Sequence, residues 1–227
     1  MLIELENMED RSFKTILNSN FVKRIFSAIM IVPLMILPIL FGGYILISVY
    51  LLILTLIFFE LFVIINNTKY KICSIIYLLI SIFSILCFII LLISSNINAL
   101  FISIIIIIWV FDTFSYLGGS FFKGKKIFPR ISKGKTYSGL ICGALASVII
   151  YSFIINYINL EQQISYNGIF IIILLSFIGD TLVSLLKRSA SIKDSGNLLP
   201  GHGGFLDRLD SFILVFFAVG FYFLFLS

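Results

Sequence analysis

The sequence predicts an all-α polytopic membrane protein of about seven transmembrane helices, with a cytoplasmic amino terminus. Three observations lead there. Apolar residues make up 60% of the 227-residue chain and its mean hydropathy is +1.16, more than a water-soluble globular domain carries. They fall in continuous runs of about 20 residues, the length a helix needs to cross a hydrocarbon core, and these runs are too long and too uniform for barrel strands. All 16 Lys and Arg fall on one side of an alternating topology.

In chain order, residues 1–24 read as a cytoplasmic tail, amphipathic or disordered. The tail lacks an apolar core and carries Glu4, Glu6, Glu9 and Asp10, which argues against a cleaved signal peptide. Residues 25–227 read as a single transmembrane catalytic domain. Its spans lie near Ile25 to Phe41, Tyr44 to Ile65, Ile72 to Ile93, Ile97 to Leu117, Gly139 to Ile158, Gly168 to Leu186 and Ser211 to Ser227. Pro33 and Pro38 should bend the first, and Gly42-Gly43 forms a tight turn into the second.

The basic residues fix the orientation. Arg11, Lys14, Lys23 and Arg24 precede the first span, and Lys69 and Lys71 follow the second. Lys123, Lys125, Lys126, Arg130, Lys133 and Lys135 follow the fourth, and Lys187, Arg188, Lys193 and Arg208 lie between the sixth and seventh. The other three turns contain none. A formal net charge of +5 distributed in this way suits lipid headgroups or nucleotide phosphates, not nucleic acid. Cys73, Cys87 and Cys142 stand singly in apolar runs, with no spacing for a zinc site or a disulfide framework, and read as inert buried thiols.

Ionisable groups inside spans are costly, so each is a candidate for function. Glu60, Asp112 and Asp180 are the three. Glu60 has no motif around it and receives no role, whereas Asp112 and Asp180 both sit in the cytoplasmic halves of their spans. On the sixth span, Asp180, Ser184, Lys187 and Arg188 are spaced i, i+4, i+7 and i+8, which reads as one polar stripe. Beyond it come Lys193-Asp194-Ser195-Gly196, then Pro200-Gly201-His202-Gly203-Gly204, then Asp207-Arg208-Leu209-Asp210, with the last two aspartates at i, i+3. Carboxylates beside Lys and Arg suit Mg²⁺ with a polyphosphate, and glycines let backbone amides approach phosphate closely. Gly134-Lys135-Thr136 looks like the end of a P-loop, but Pro129 stands where its first glycine belongs, so a Walker A site is rejected.

The run Ser184-Leu-Leu-Lys187-Arg188, Lys193-Asp194-Ser-Gly196 and Leu199-Pro200-Gly-His202-Gly203-Gly204-Phe-Leu-Asp207-Arg208-Leu-Asp210 resembles, without mismatch, the signature of the phosphatidate cytidylyltransferases, or CDP-diacylglycerol synthases. A second stretch, Trp109-Val-Phe-Asp112-Thr113-Phe-Ser-Tyr116-Leu-Gly118 through Lys135-Thr136, resembles the family's central motif. It departs from that motif at Gly119, Lys133, Tyr137 and Ser138, where the family usually has arginine, proline, tryptophan and an acidic residue.

The resemblance implies attack by the phosphate of phosphatidate on the α-phosphorus of CTP, giving CDP-diacylglycerol and pyrophosphate with Mg²⁺ assistance, a second cation being left open. It implies Asp180, Asp207 and Asp210 as metal ligands, and Lys187, Arg188, Lys193, Asp194, His202 and Arg208 as catalytic residues. Asp112, Ser184, Lys135, Thr136, Gly203 and Gly204 are implied as substrate contacts. It further implies an integral protein of the inner (plasma) membrane with its site at the cytoplasmic face, surrounded by membrane lipids, and a homodimer. Two alternatives stay open. A polyprenol kinase or other CTP-dependent lipid enzyme would differ in which phosphate enters the lipid. A cation transporter using Asp112 and Asp180 would want polar residues on both sides of the midplane, and the outer halves are nearly bare of charge.

Overall fold

Helical spans satisfy their own backbone, so what arranges them is side-chain packing and a few interhelical hydrogen bonds. The computed structural model describes residues 33–94, 97–157, 164–196 and 203–225. The N-terminal tail, the start of the first expected span and His202 lie outside the described residues. Within them, α1 covers residues 33–41, followed by α2 (Gly43–Asn67), α3 (Lys71–Ser94), α4 (Asn98–Phe122), α5 (Tyr137–Tyr157), α6 (Tyr166–Ser189) and α7 (Leu206–Phe225). All but α1 are long and apolar enough to cross a membrane.

Gly42 and Gly43 have φ of 65° and 53°, a left-handed backbone that side-chain-bearing residues rarely adopt, and this permits the reversal from α1 into α2 within one residue. The buried Tyr50 hydroxyl then donates to the Met35 carbonyl at 2.6 Å and ties the two helices together. α3 lies against α7. Ser84 Oγ donates to the Ile213 carbonyl at 2.9 Å, and Phe88 stacks on Phe216 with ring centroids 4.4 Å apart. Tyr50 and Phe101 meet the same Phe88 ring edge-on at 4.8 and 4.7 Å. The centre of the bundle is therefore an aromatic cluster, in geometries that favour ring edges over perfect face-to-face stacking.

α4 and α5 approach more closely because α5 presents glycines. A Cβ at Gly139 would stand 2.4 Å from the Ser115 carbonyl oxygen, and one at Gly143 would stand 2.7 Å from that of Phe111. Small residues at such crossings are the usual way membrane helices gain contact. α6 meets α7 in the same manner at Gly179, whose Cβ would lie 2.5 Å from the Asp210 carbonyl oxygen.

One expectation needs correction. The basic segment after the fourth span is not a plain loop: β1 (Lys126–Phe128) and β2 (Ser132–Thr136) pair antiparallel, with Lys126 opposite Thr136 and Phe128 opposite Ser132. The unequal count between those pairs makes a bulge. Thr136 closes the hairpin by accepting the Gly139 amide at 3.1 Å, which caps α5, and Ser138 Oγ accepts the Gly124 amide at 3.2 Å. A second correction concerns the thiols: Cys73 is exposed and Cys142 half-buried, so only Cys87 is a core residue.

Candidate active site

The polar side chains gather at one end of the bundle, where α2, α4 and α6 finish and α7 begins. The turn after α2 reaches α6 through a hydroxyl–hydroxyl bond between Thr68 and Ser189. The hairpin reaches it through Lys135. Its ammonium donates to Thr181 Oγ1 at 2.6 Å and the Phe177 carbonyl at 3.2 Å, pairs with Asp180 Oδ2 at 3.0 Å and lies 4.6 Å from the centre of the Phe177 ring. Lys135 is thus anchored on α6 by several partners, while Asp180 keeps 35% of its side chain exposed. The other oxygen of Asp180 takes a 3.4 Å hydrogen bond from Ser184, which leaves Asp180 more open to a ligand than Asp207 or Asp210.

Asp207 is held differently. Its Oδ1 pairs with the Lys187 ammonium at 2.5 Å, and its Oδ2 accepts the amides of Ser195 at 2.8 Å and Gly204 at 3.1 Å. Both charged partners of this pair are buried, at 10% and 9% side-chain exposure. Lys187 closes the C-terminal turn of α6 and Asp207 opens the first turn of α7, each at the helix end whose dipole favours its charge. Gly203 allows this approach: its φ is 81° and a Cβ there would sit 2.5 Å from Asp207 Oδ2.

The expected stripe on α6 divides. At 3.6 residues per turn Lys187 lies about 20° around the helix from Asp180 and Arg188 about 80°. Lys187 turns inward to Asp207, whereas exposed Arg188 donates to the carbonyls of Ile131 at 3.3 Å and Ile192 at 3.0 Å. Arg188 therefore fastens the hairpin turn to the end of α6. Lys193 and Asp194 are exposed at the loop surface, and Arg208 is half-buried in the first turn of α7. Asp210 is buried at 7%, and its Oδ1 accepts the Ser211 amide at 2.9 Å. Asp112, half-buried on α4, stands within electrostatic reach of Asp180, Lys135, Arg208 and the Ser211 side chain. Among the described residues no three His, Cys, Asp or Glu side chains converge on one metal position. Asp112, Asp180 and Asp210 nonetheless stand within electrostatic reach of one another, with the cations of Lys135, Lys187 and Arg208 among them.

The profile of the cytidylyltransferase family matches residues 65–226. The chain belongs to that family. Among similar proteins, the phosphatidate cytidylyltransferase of Rickettsia typhi (strain ATCC VR-144 / Wilmington) is 42% identical over 127 residues, 51% of this chain and 56% of the relative. That of Staphylococcus aureus (strain COL) is 39% identical over 112 residues, 48% and 43% of the two chains. That of Haemophilus influenzae (strain ATCC 51907 / DSM 11121 / KW20 / Rd) is 34% identical over 114 residues, 48% and 40%. The chain spans about half the length of the curated relatives it matches. The family match takes in every candidate from Asp112 to Asp210.

It begins after a residue that sequence reasoning passed over. Glu60, on α2, is buried at 5% and accepts Ser195 Oγ at 2.5 Å and the amides of Phe205 at 2.7 Å and Leu206 at 2.9 Å. The signal was available: a carboxylate inside an apolar span is expensive without partners. Its donors, however, lie more than a hundred residues away in the chain.

Proposed function

We propose that this chain transfers the cytidylyl group of CTP to phosphatidate, yielding CDP-diacylglycerol and pyrophosphate for phospholipid synthesis. The observation that carries the reading is the pair of lysine–aspartate contacts, Lys135–Asp180 and Lys187–Asp207, set side by side at one end of a membrane bundle. A phosphatidate oxygen attacks the α-phosphorus of CTP, the α–β anhydride bond breaks, and pyrophosphate takes the electron pair. No covalent enzyme intermediate is required, because positioning and charge stabilisation supply most of the catalysis in phosphoryl-type transfer.

Asp180 fits Mg²⁺ as an accessible hard oxygen donor, and Asp210 adds a second carboxylate beside it. Asp207 would join them only by giving up Lys187. The ion, when bound, neutralises the CTP phosphates and steadies the leaving pyrophosphate. Lys187 and Lys135, once drawn off their aspartates, are placed to hold phosphate oxygens, and the backbone at Gly203-Gly204 can approach them closely. Lys193 at the loop surface meets the incoming nucleotide.

The lipid substrate stays in the bilayer while CTP arrives from water, so a site at the end of the bundle serves both. The one-sided distribution of Lys and Arg supports setting that end at the cytoplasmic face of the inner (plasma) membrane, with residues 25–227 acting as one catalytic domain. A homodimer rests on the family resemblance and is read by cross-linking of the chain in nanodiscs.

Membranes carrying the chain are expected to convert phosphatidate and CTP labelled at the α-phosphate into labelled CDP-diacylglycerol, and to stop when Mg²⁺ is chelated. Label entering the lipid only from the γ-phosphate would mark a lipid kinase and overturn the reading.

A further inference from the structure

Glu60 makes its three hydrogen bonds to two separate backbone segments. One is Ser195, reached through its hydroxyl, and the other is the entry into α7, reached through the Phe205 and Leu206 amides. Asp207 grips the same two segments from the other side, through the Ser195 and Gly204 amides. Ser195 is common to both carboxylates: its hydroxyl goes to Glu60 and its amide to Asp207. The space is built around this arrangement. A Cβ at Gly204 would stand 2.2 Å from Glu60 Oε2, and one at Gly196 would stand 2.9 Å from Glu60 Oε1. Substituting either glycine would displace the Glu60 carboxylate.

All three donors to Glu60 are uncharged, and two are backbone amides at the N-terminus of a 20-residue helix, where the helix dipole favours an anion. A helix end whose amides are satisfied by a side chain from another span is fixed in position and angle relative to that span. Asp207 lies one residue beyond Leu206, so its carboxylate inherits that placement.

We propose that Glu60 is a positioning residue for the transfer reaction: it docks the loop between α6 and α7 onto α2, and thereby sets Asp207 against Lys187 and Asp180. This rests on the role given to Asp207 under the proposed function. It extends the site to a residue outside the matched stretch 65–226.

The test compares Glu60→Gln, Glu60→Asp and Ser195→Ala with the unaltered full-length chain in nanodiscs. Two readouts are used, hydrogen exchange of the amides at 194–196 and 203–206, and kcat and KM for CTP. Glu60→Gln presents an NH₂ group to donors and is expected to speed exchange in those two segments by about tenfold or more, with exchange in α4 and α5 unchanged. It should lower kcat by about a hundredfold, as a misplacement of roughly 1 Å can, while KM for CTP moves far less. Glu60→Asp, which keeps the carboxylate, should recover part of both effects. Ser195→Ala loses one of the three bonds and should show a smaller change in the same direction.

Should Glu60→Gln fail to fold, Ser195→Ala decides by the same two readouts. Normal exchange and kcat in whichever folded variant is compared would overturn the proposal, as would a loss in KM alone. If the unaltered chain makes no CDP-diacylglycerol, the reaction assignment falls, and the exchange comparison still decides whether Glu60 docks the loop.

Discussion

The two lysine–aspartate pairs use the same residue types in opposite ways. Lys135–Asp180 is a 3.0 Å contact in which the lysine is tied down by neighbouring groups and the aspartate stays partly open. Lys187–Asp207 is a 2.5 Å contact sealed on both sides, and there it is the aspartate that carries further bonds, to two amides. Desolvating a charge costs several kcal/mol unless partners offset it, so the sealed pair gives up its contact only where a ligand replaces it, and the open pair exchanges partners more readily. The first is suited to receive a ligand, the second to hold the loop beside it.

Substitution separates the two pairs. Asp207→Asn should reduce kcat by about a thousandfold, the scale of losing a well-placed electrostatic group, and should leave Lys187 buried without its counter-charge. Wild-type turnover in that variant, measured at normal expression, would remove Asp207 from the site. Asp180→Asn should also cost activity, about a hundredfold, but with a smaller loss of thermal stability than Asp207→Asn, because Asp180 is partly solvated and Lys135, though only 11% exposed, keeps the Thr181 and Phe177 oxygens as partners. A large drop in melting temperature for Asp180→Asn would contradict the distinction between an open and a sealed pair.

The smallest effect expected separates the lysines by stability alone. Lys187→Met strands a buried aspartate and should destabilise by roughly 3 kcal/mol. Lys135→Met leaves Asp180 in contact with water and should cost about 1 kcal/mol or less. Unfolding of both variants in the same detergent gives the comparison, and equal losses would erase it.

The same contrast shows how far the sequence could be read. Run length and the one-sided lysines and arginines lead directly to a helical membrane protein, because a bilayer leaves the backbone few other solutions. Asp180 and Asp207 could be singled out as candidates because ionisable groups are rare in apolar spans and because the signature around Asp207 is specific. The β1–β2 hairpin could not be, since its strands carry mostly polar and basic residues and β2 packs against α4 and α5. Arg188, implied as a catalytic residue, donates to the Ile131 and Ile192 carbonyls, because it stands one residue beyond Lys187 and so about 80° around α6 from Asp180. Glu60 was set aside because nothing local accompanies it.

By itself the sequence determined the solvent in which this protein folds, the approximate limits of its spans and the residue types that could meet a nucleotide and a cation. Each of these follows from composition and spacing along the chain. Tertiary structure alone decided which lysine neutralises which aspartate, which of the two pairs water can reach, and that a carboxylate on α2 holds the entrance of α7. Those choices depend on how close helices distant in sequence come to one another, and that distance is set by where glycines allow backbones to touch.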